Sequence, residues 1–142
     1  MIEKASVKDL NIVYQLICEL EQEQLNKDRF KNIYQKAMDQ NDIYYYVYRY
    51  QEKVVGFISL YIHHYLHHDH DTGEIVELVV LPEYRNLKIG QQLIQYVERK
   101  AVELGLEEIE LSTSTYRKKA HHFYEVHGYH MNHYNYTKQL II

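Results

Sequence analysis

Residues 74–81 read EIVELVVL, a run that after Glu74 is apolar and broken only by Glu77, and this run together with residues 82–113 constrains the fold more than any other stretch. Pro82, the only proline, ends the run. Ile89, Leu93, Val97, Ala101 and Leu104 then recur at helical spacing, and Gly105 stands where a C-cap glycine stops a helix. EEIELST, residues 107–113, reads as another strand. A strand, a long amphipathic helix and a strand in that order predict a right-handed parallel crossover across residues 74–113. A parallel pair inside a mixed sheet leaves a place where a ligand enters beside strand ends.

The rest of the chain supplies the neighbours of that unit. MIEKAS reads as a short first strand, and Ser6 with Asp9 three residues on resembles a capping box. Leu10, Val13, Ile17 and Leu20 mark the inner face of a first helix. A second helix, capped by Asn26 or Asp28, would face inward with Phe30, Ile33, Ala37 and Met38. IYYYVYRY and VVGFISLYI, separated by Gln51-Glu52-Lys53, predict a hairpin. RKKAHHFYEVH predicts a short helix ended by Gly128, and strands around Tyr129–Met131 and Tyr134–Ile142 would close the chain. No linker, repeat or low-complexity tract appears, so residues 1–142 are expected to form one domain of mixed α/β class. Its sheet should be mixed, mostly antiparallel with one parallel pair, and flanked by four helices.

Length and charge narrow the function classes. A chain of 142 residues holds one ordinary core. A net charge of −4 gives no basic field for nucleic acid and mildly favours a cationic partner such as an amine. One cysteine, Cys18, excludes a disulfide framework, and no apolar run is long enough to span a membrane. The N-terminal residues lack a signal-peptide core, so a cytoplasmic location is expected, without nucleic-acid or membrane partners. The oligomeric state is left open, a homodimer included.

Residues 85–91 should lie at the N-terminus of the long helix, where free amides and the helix dipole both favour an anion. Arg85 and Lys88 add positive charge, and Gly90 permits close backbone approach. Two readings fit the spacing equally: a phosphate-holding turn, or a solvated turn with ordinary surface cations.

The stretch E-L-V-V-x-P-E-Y-R-x-x-x-x-G-x-x-L resembles the acetyl-CoA signature of the GNAT N-acetyltransferase superfamily. That signature runs Arg or Gln, two residues, Gly, one residue, Gly or Ala. Arg85 and Gly90 match its ends, while Lys88 stands at the first glycine. AHHFYEVHGY, residues 120–129, is similar to a second segment of the same family, and the element order over nearly the whole chain matches the GNAT fold, whose parallel strand pair is splayed. The resemblance implies acetyl-CoA as cosubstrate, held by Arg85, Asn86, Leu87, Lys88, Ile89, Gly90 and Gln91, with the amides of Val79 and Val80 meeting the acetyl carbonyl and pantetheine. It also implies a ternary-complex transfer in which Tyr124 is general acid to the departing thiolate. Arg117 replaces the asparagine that many members direct at the pantetheine arm. With the closing G-Y-x-x-x-x-Y-x-Y-x-K-x-L, it places the chain nearest the aminoalkylphosphonate and aminoglycoside acetyltransferases, implying a small amine with a polar or anionic group.

Acetyl transfer to an amine needs a base, because a lysine-like amine is protonated by roughly three orders of magnitude at neutral pH. Glu77 is the only acid inside the apolar run that follows Glu74, and burial would raise its pKa toward a useful value. It would act directly or through a water. Its plain alternative is a polar residue on a sheet face. For Tyr124 the alternative is core packing by one tyrosine among 16. Glu19, Glu21 and Glu23 would either attract a cationic amine or form a solvated helix end.

HHYLHHDHD, residues 63–71, carries five of the ten histidines; the other five are His121, His122, His127, His130 and His133. His68 and His70 would share one face of an extended segment, yet zinc commonly takes three or four fixed ligands. The sequence supplies only a pair, so no metal ligand set is assigned and a solvated turn is expected. Two other functions stay open: an acyl-CoA-binding domain without turnover, and a metal-binding module built on these histidines.

Overall fold

The computed structural model describes residues 1–141. The chain divides into two compact units, Met1–Leu111 and Ser112–Ile142. The first unit holds five strands, β1 (Ile2–Lys4), β2 (Ile43–Tyr50), β3 (Lys53–His63), β4 (Thr72–Val80) and β5 (Glu108–Leu111). They lie side by side in chain order. The pairs from β1 to β4 are antiparallel, and β4 pairs with β5 in parallel. The connection between the parallel strands is the expected long helix.

Helices α1 (Leu10–Glu21), α2 (Lys27–Met38) and α3 (Ile89–Glu103) complete this unit. The capping box forms as expected: the Ser6 amide donates to Asp9 at 2.9 Å, and the Ser6 hydroxyl accepts from the Lys8 amide at 3.2 Å. Asn26, rather than Asp28, caps α2 by accepting from the Arg29 amide. Val13, Leu16 and Ile17 of α1 and Tyr34 and Ala37 of α2 join Tyr45, Val47, Phe57 and Val79 of the sheet in one core. Here α2 departs from its expected inner face. Ile33 is exposed and Tyr34 is buried, because the Tyr34 hydroxyl finds the Ser6 carbonyl at 2.7 Å. A buried phenol is tolerated once its polar end has a partner.

Helix α3 covers the opposite face of the sheet with Ile89, Leu93, Ile94, Val97 and Ala101, all buried. It approaches closely at Gly56, where a Cβ would stand 3.2 Å from a Leu93 methyl and 3.3 Å from an Ile89 methyl. That contact fixes where α3 begins relative to the end of β4, since Gly56 is the register partner of Val80.

In the second unit α4 (Lys118–Val126) forms as read from the sequence, and Gly128 follows it with φ +92°. The expected closing strands do not form: residues 129–141 carry no regular structure, and Ile142 lies outside the described residues. Met131, Tyr134, Tyr136, Leu140 and Ile141 are exposed there. Alternating tyrosines make a strand pattern, but they are interspersed with His, Asn and Lys, and strand pairing is decided by tertiary partners more than by propensity.

Candidate active site

The decisive local feature is a bulge in β4. Ile58 pairs with Leu78 but Leu60 pairs with Ile75, so Val76 and Glu77 together oppose Ser59. A regular strand would place Glu74 and Glu77 on opposite faces, because side chains alternate with a period of two. The extra residue cancels that alternation. Tyr61 is the register partner of Glu74, and Phe57 of Val79, so Glu74, Glu77 and Val79 share the face that carries α1 and α2.

Ser59 holds the bulge. Its hydroxyl accepts from the Glu77 amide at 2.9 Å and donates to the Glu77 carboxylate. Ser59 is fully buried, so this one hydroxyl replaces a ladder hydrogen bond and also orients the acid. Burial raises the Glu77 pKa; the Ser59 hydrogen bond opposes the rise, and the charges of Glu21 and Glu74 reinforce it. Tyr45 and Tyr61, whose hydroxyls lie 3.2 Å apart, line the same face, and burial raises both phenols. Sequence reasoning misses Ser59, Tyr45 and Tyr61. The alternation of Phe57, Ser59 and Tyr61 is the available signal, but the bulge that aligns them with Glu77 has none. Ser59→Ala should cost about 1–3 kcal/mol in urea denaturation, since it strands a buried amide. It should also move the acid limb of any Glu77-dependent activity to higher pH.

β5 ends at Leu111, the partner of Ile75, so Val76–Val80 have no strand beside them on that edge among the described residues. The parallel pair is therefore open where Val79 and Val80 lie. Beyond it, residues Pro82–Leu87 coil as a 3-10 turn and Lys88 stands at the N-cap position of α3. Lys88 has φ 60° and ψ 28°, a left-handed conformation that glycine adopts without strain. The backbone thus keeps the geometry of a glycine at this position although the side chain is lysine. No side chain caps α3, which leaves the first-turn amides of Ile89, Gly90 and Gln91 pointing outward from the helix start. Asn86 and Leu87 lie in the 3-10 turn just before it. Arg85 is partly committed elsewhere: its Nε donates to the Val80 carbonyl at 2.9 Å and its guanidinium lies 3.9 Å from Glu19. It therefore ties the turn to the end of β4, and the anion-favouring groups are the amides and Lys88. Lys88→Val should lower stability by about 1 kcal/mol or more, because a branched side chain resists the left-handed region, whereas Lys88→Gly should not destabilise. Thermal unfolding of the two variants checks this.

In the second unit Arg117 immediately precedes α4, and Tyr124 lies on it. Burial raises the Tyr124 phenol above its ordinary value, and Arg117 pulls it partly back. His121 reaches the Ser114 carbonyl at 2.8 Å, and His127 the Phe123 carbonyl at 2.7 Å, so both serve local structure.

The model of the acetyltransferase (GNAT) family matches residues 10–129. The chain belongs to the GNAT acetyltransferase family. It is 40% identical over 139 residues to the aminoalkylphosphonate N-acetyltransferase of Salmonella typhimurium, covering 98% of this chain and 90% of that one. Among solved structures it is similar to a transcriptional regulator from Bacillus halodurans, with a TM-score of 0.90, 21% identity and 99% of each chain covered. It is also similar to an aminoglycoside N-acetyltransferase in complex with CoA, with a TM-score of 0.88, 16% identity and 99% and 95% of the two chains covered. This GNAT protein is an acetyl-CoA-dependent N-acetyltransferase that transfers an acetyl group to an amine. None of its helices is long and apolar enough to cross a membrane among the described residues.

Proposed function

We propose that the whole of residues 1–142 acts as one domain that acetylates the primary amine of a small molecule, with Glu77 as base and Tyr124 as acid. The observation that carries this reading is the bulge that brings a half-buried glutamate, held by Ser59, beside the open end of β4. Glu77 takes a proton from the ammonium, directly or through a water, and the freed amine attacks the thioester carbonyl carbon. The carbon–sulfur bond breaks, the departing thiolate takes the proton of Tyr124, and the second proton that the nitrogen loses as the amide forms restores the phenol. Of the Val79–Val80 pair, alternation along β4 turns the Val80 amide toward the open edge while the Val79 amide faces β3. The Val80 amide suits the carbonyl oxygen and this edge the pantetheine arm, and donors aimed at a developing oxyanion lower the barrier. The amides of Ile89, Gly90 and Gln91, with Lys88, suit the pyrophosphate. Arg117 suits an anionic group of either substrate.

The acceptor class rests on the relative that acetylates aminoalkylphosphonates, which is 40% identical across nearly the whole chain. Thiol release from acetyl-CoA, measured against aminoalkylphosphonates, polyamines, aminoglycosides and short peptides, tests the proposal. Turnover should be greatest with a small aminoalkylphosphonate. Acetyl-CoA binding without thiol release over the whole panel would favour a domain that binds and does not turn over.

A further inference from the structure

By sequence HHYLHHDHD offers only a pair of histidines on a turn; the fold changes their partners. His63 closes β3, Glu74 lies on β4 and Glu110 on β5. Their ligand atoms all lie within 4.8 Å of one another, one from each of three neighbouring strands. His63 Nε2 already stands 2.7 Å from the Glu74 carboxylate, and Tyr65 donates to the Glu110 carboxylate at 3.1 Å. Each side chain is thus oriented before any ion arrives.

The charge pattern calls for a cation. Glu74 and Glu110 are register partners across the parallel pair, and the bulge sets Glu77 on the same face. Like charges directly opposite in a sheet are destabilising. Among the described residues no Lys or Arg forms an ion pair with Glu74, Glu77 or Glu110. We propose that His63, Glu74 and Glu110 form a binding site for one divalent transition-metal ion. One imidazole and two carboxylates are a ligand set for zinc or manganese, three of whose ligands leave a position open to water or another donor. A second group, His68, His70 and Glu108, lies nearby, but two of its members come from the connection between β3 and β4 and Glu108 is exposed. Strand residues hold their geometry better than loop residues, which favours the first group.

Calorimetric titration of the full chain, untagged and stripped with EDTA, with Zn²⁺ and with Mn²⁺ tests the site without reference to acetyl transfer. One equivalent should bind. His63→Gln, Glu74→Gln and Glu110→Gln should each weaken binding by about tenfold or more, since even groups that only support a metal ligand cost 10–100-fold. The double variant His68→Gln/His70→Gln should bind like the unaltered protein. X-ray absorption of the Zn²⁺-loaded unaltered protein, which needs no variant to fold, should show a single imidazole among oxygen ligands. Absence of binding up to millimolar metal, two imidazoles in the absorption spectrum, or loss confined to the double variant would each overturn the assignment.

Discussion

Glu77→Gln should lower kcat for amine acetylation by about 10²–10⁴-fold, the range set by removing a general base. The amide keeps the size of the side chain and can still meet Ser59, so the bulge should survive. Stability separates loss of chemistry from loss of fold. The folded-state pKa of Glu77 is raised, chiefly by burial, so the unfolded chain ionises first as pH increases. Between the unfolded and folded pKa values ionisation therefore favours unfolding, and above both the penalty is constant. Glu77→Gln removes that penalty. It should be at least as stable as the unaltered protein at neutral pH, with the advantage vanishing below the ordinary glutamate range. The rate carries the same signature. Activity should fall on the acid side through a pKa above the usual carboxylate value, and the variant should lack that limb. An undiminished kcat in Glu77→Gln would remove the glutamate from the chemistry.

Tyr124→Phe should lower kcat by about 10²-fold or more while KM for acetyl-CoA stays within about a factor of two, the pattern of an interaction made only in the transition state. Burial raises the phenol pKa and Arg117 only partly offsets it, so Tyr124 remains protonated throughout the neutral range. An acid with that property delivers its proton to a strongly basic thiolate and to little else. The variant's deficit should therefore shrink when acetyl-CoA is replaced by an acetyl thioester of a more acidic thiol, whose thiolate needs no proton to depart. Steady-state kinetics with both donors decides this. Equal deficits would mean that Tyr124 serves packing.

Much of the architecture is legible in the residues. The crossover at 74–113, the hairpin turn at Gln51-Glu52, the Ser6–Asp9 box and the stop at Gly105 are local patterns, and the structure reproduces them. The turn before α3 is not legible in the same way. Lys88 in place of the first motif glycine leaves the loop conformation open, and the left-handed backbone there comes from the structure. The misses have physical causes. Ile33 and Tyr34 are neighbours in the chain, and which of them turns inward depends on a carbonyl at Ser6 that no local pattern specifies. The closing strands rest on alternation alone, and alternation cannot supply a partner strand.

The sequence by itself determined the order of elements as far as α4, the acid within the β4 run and the family to which both belong, because these depend on neighbours close in the chain. Only the tertiary structure decided which side chains meet. The bulge at Val76–Glu77 arises from register against Ser59, 18 positions away, and it alone sets Glu77 on the face of Glu74. The grouping of His63 with Glu74 and Glu110 likewise comes from strands laid side by side, since adjacent strands join residues that are distant in sequence. Periodicity assigns a residue to a face of its own strand; pairing register, fixed by the packed core, decides what shares that face.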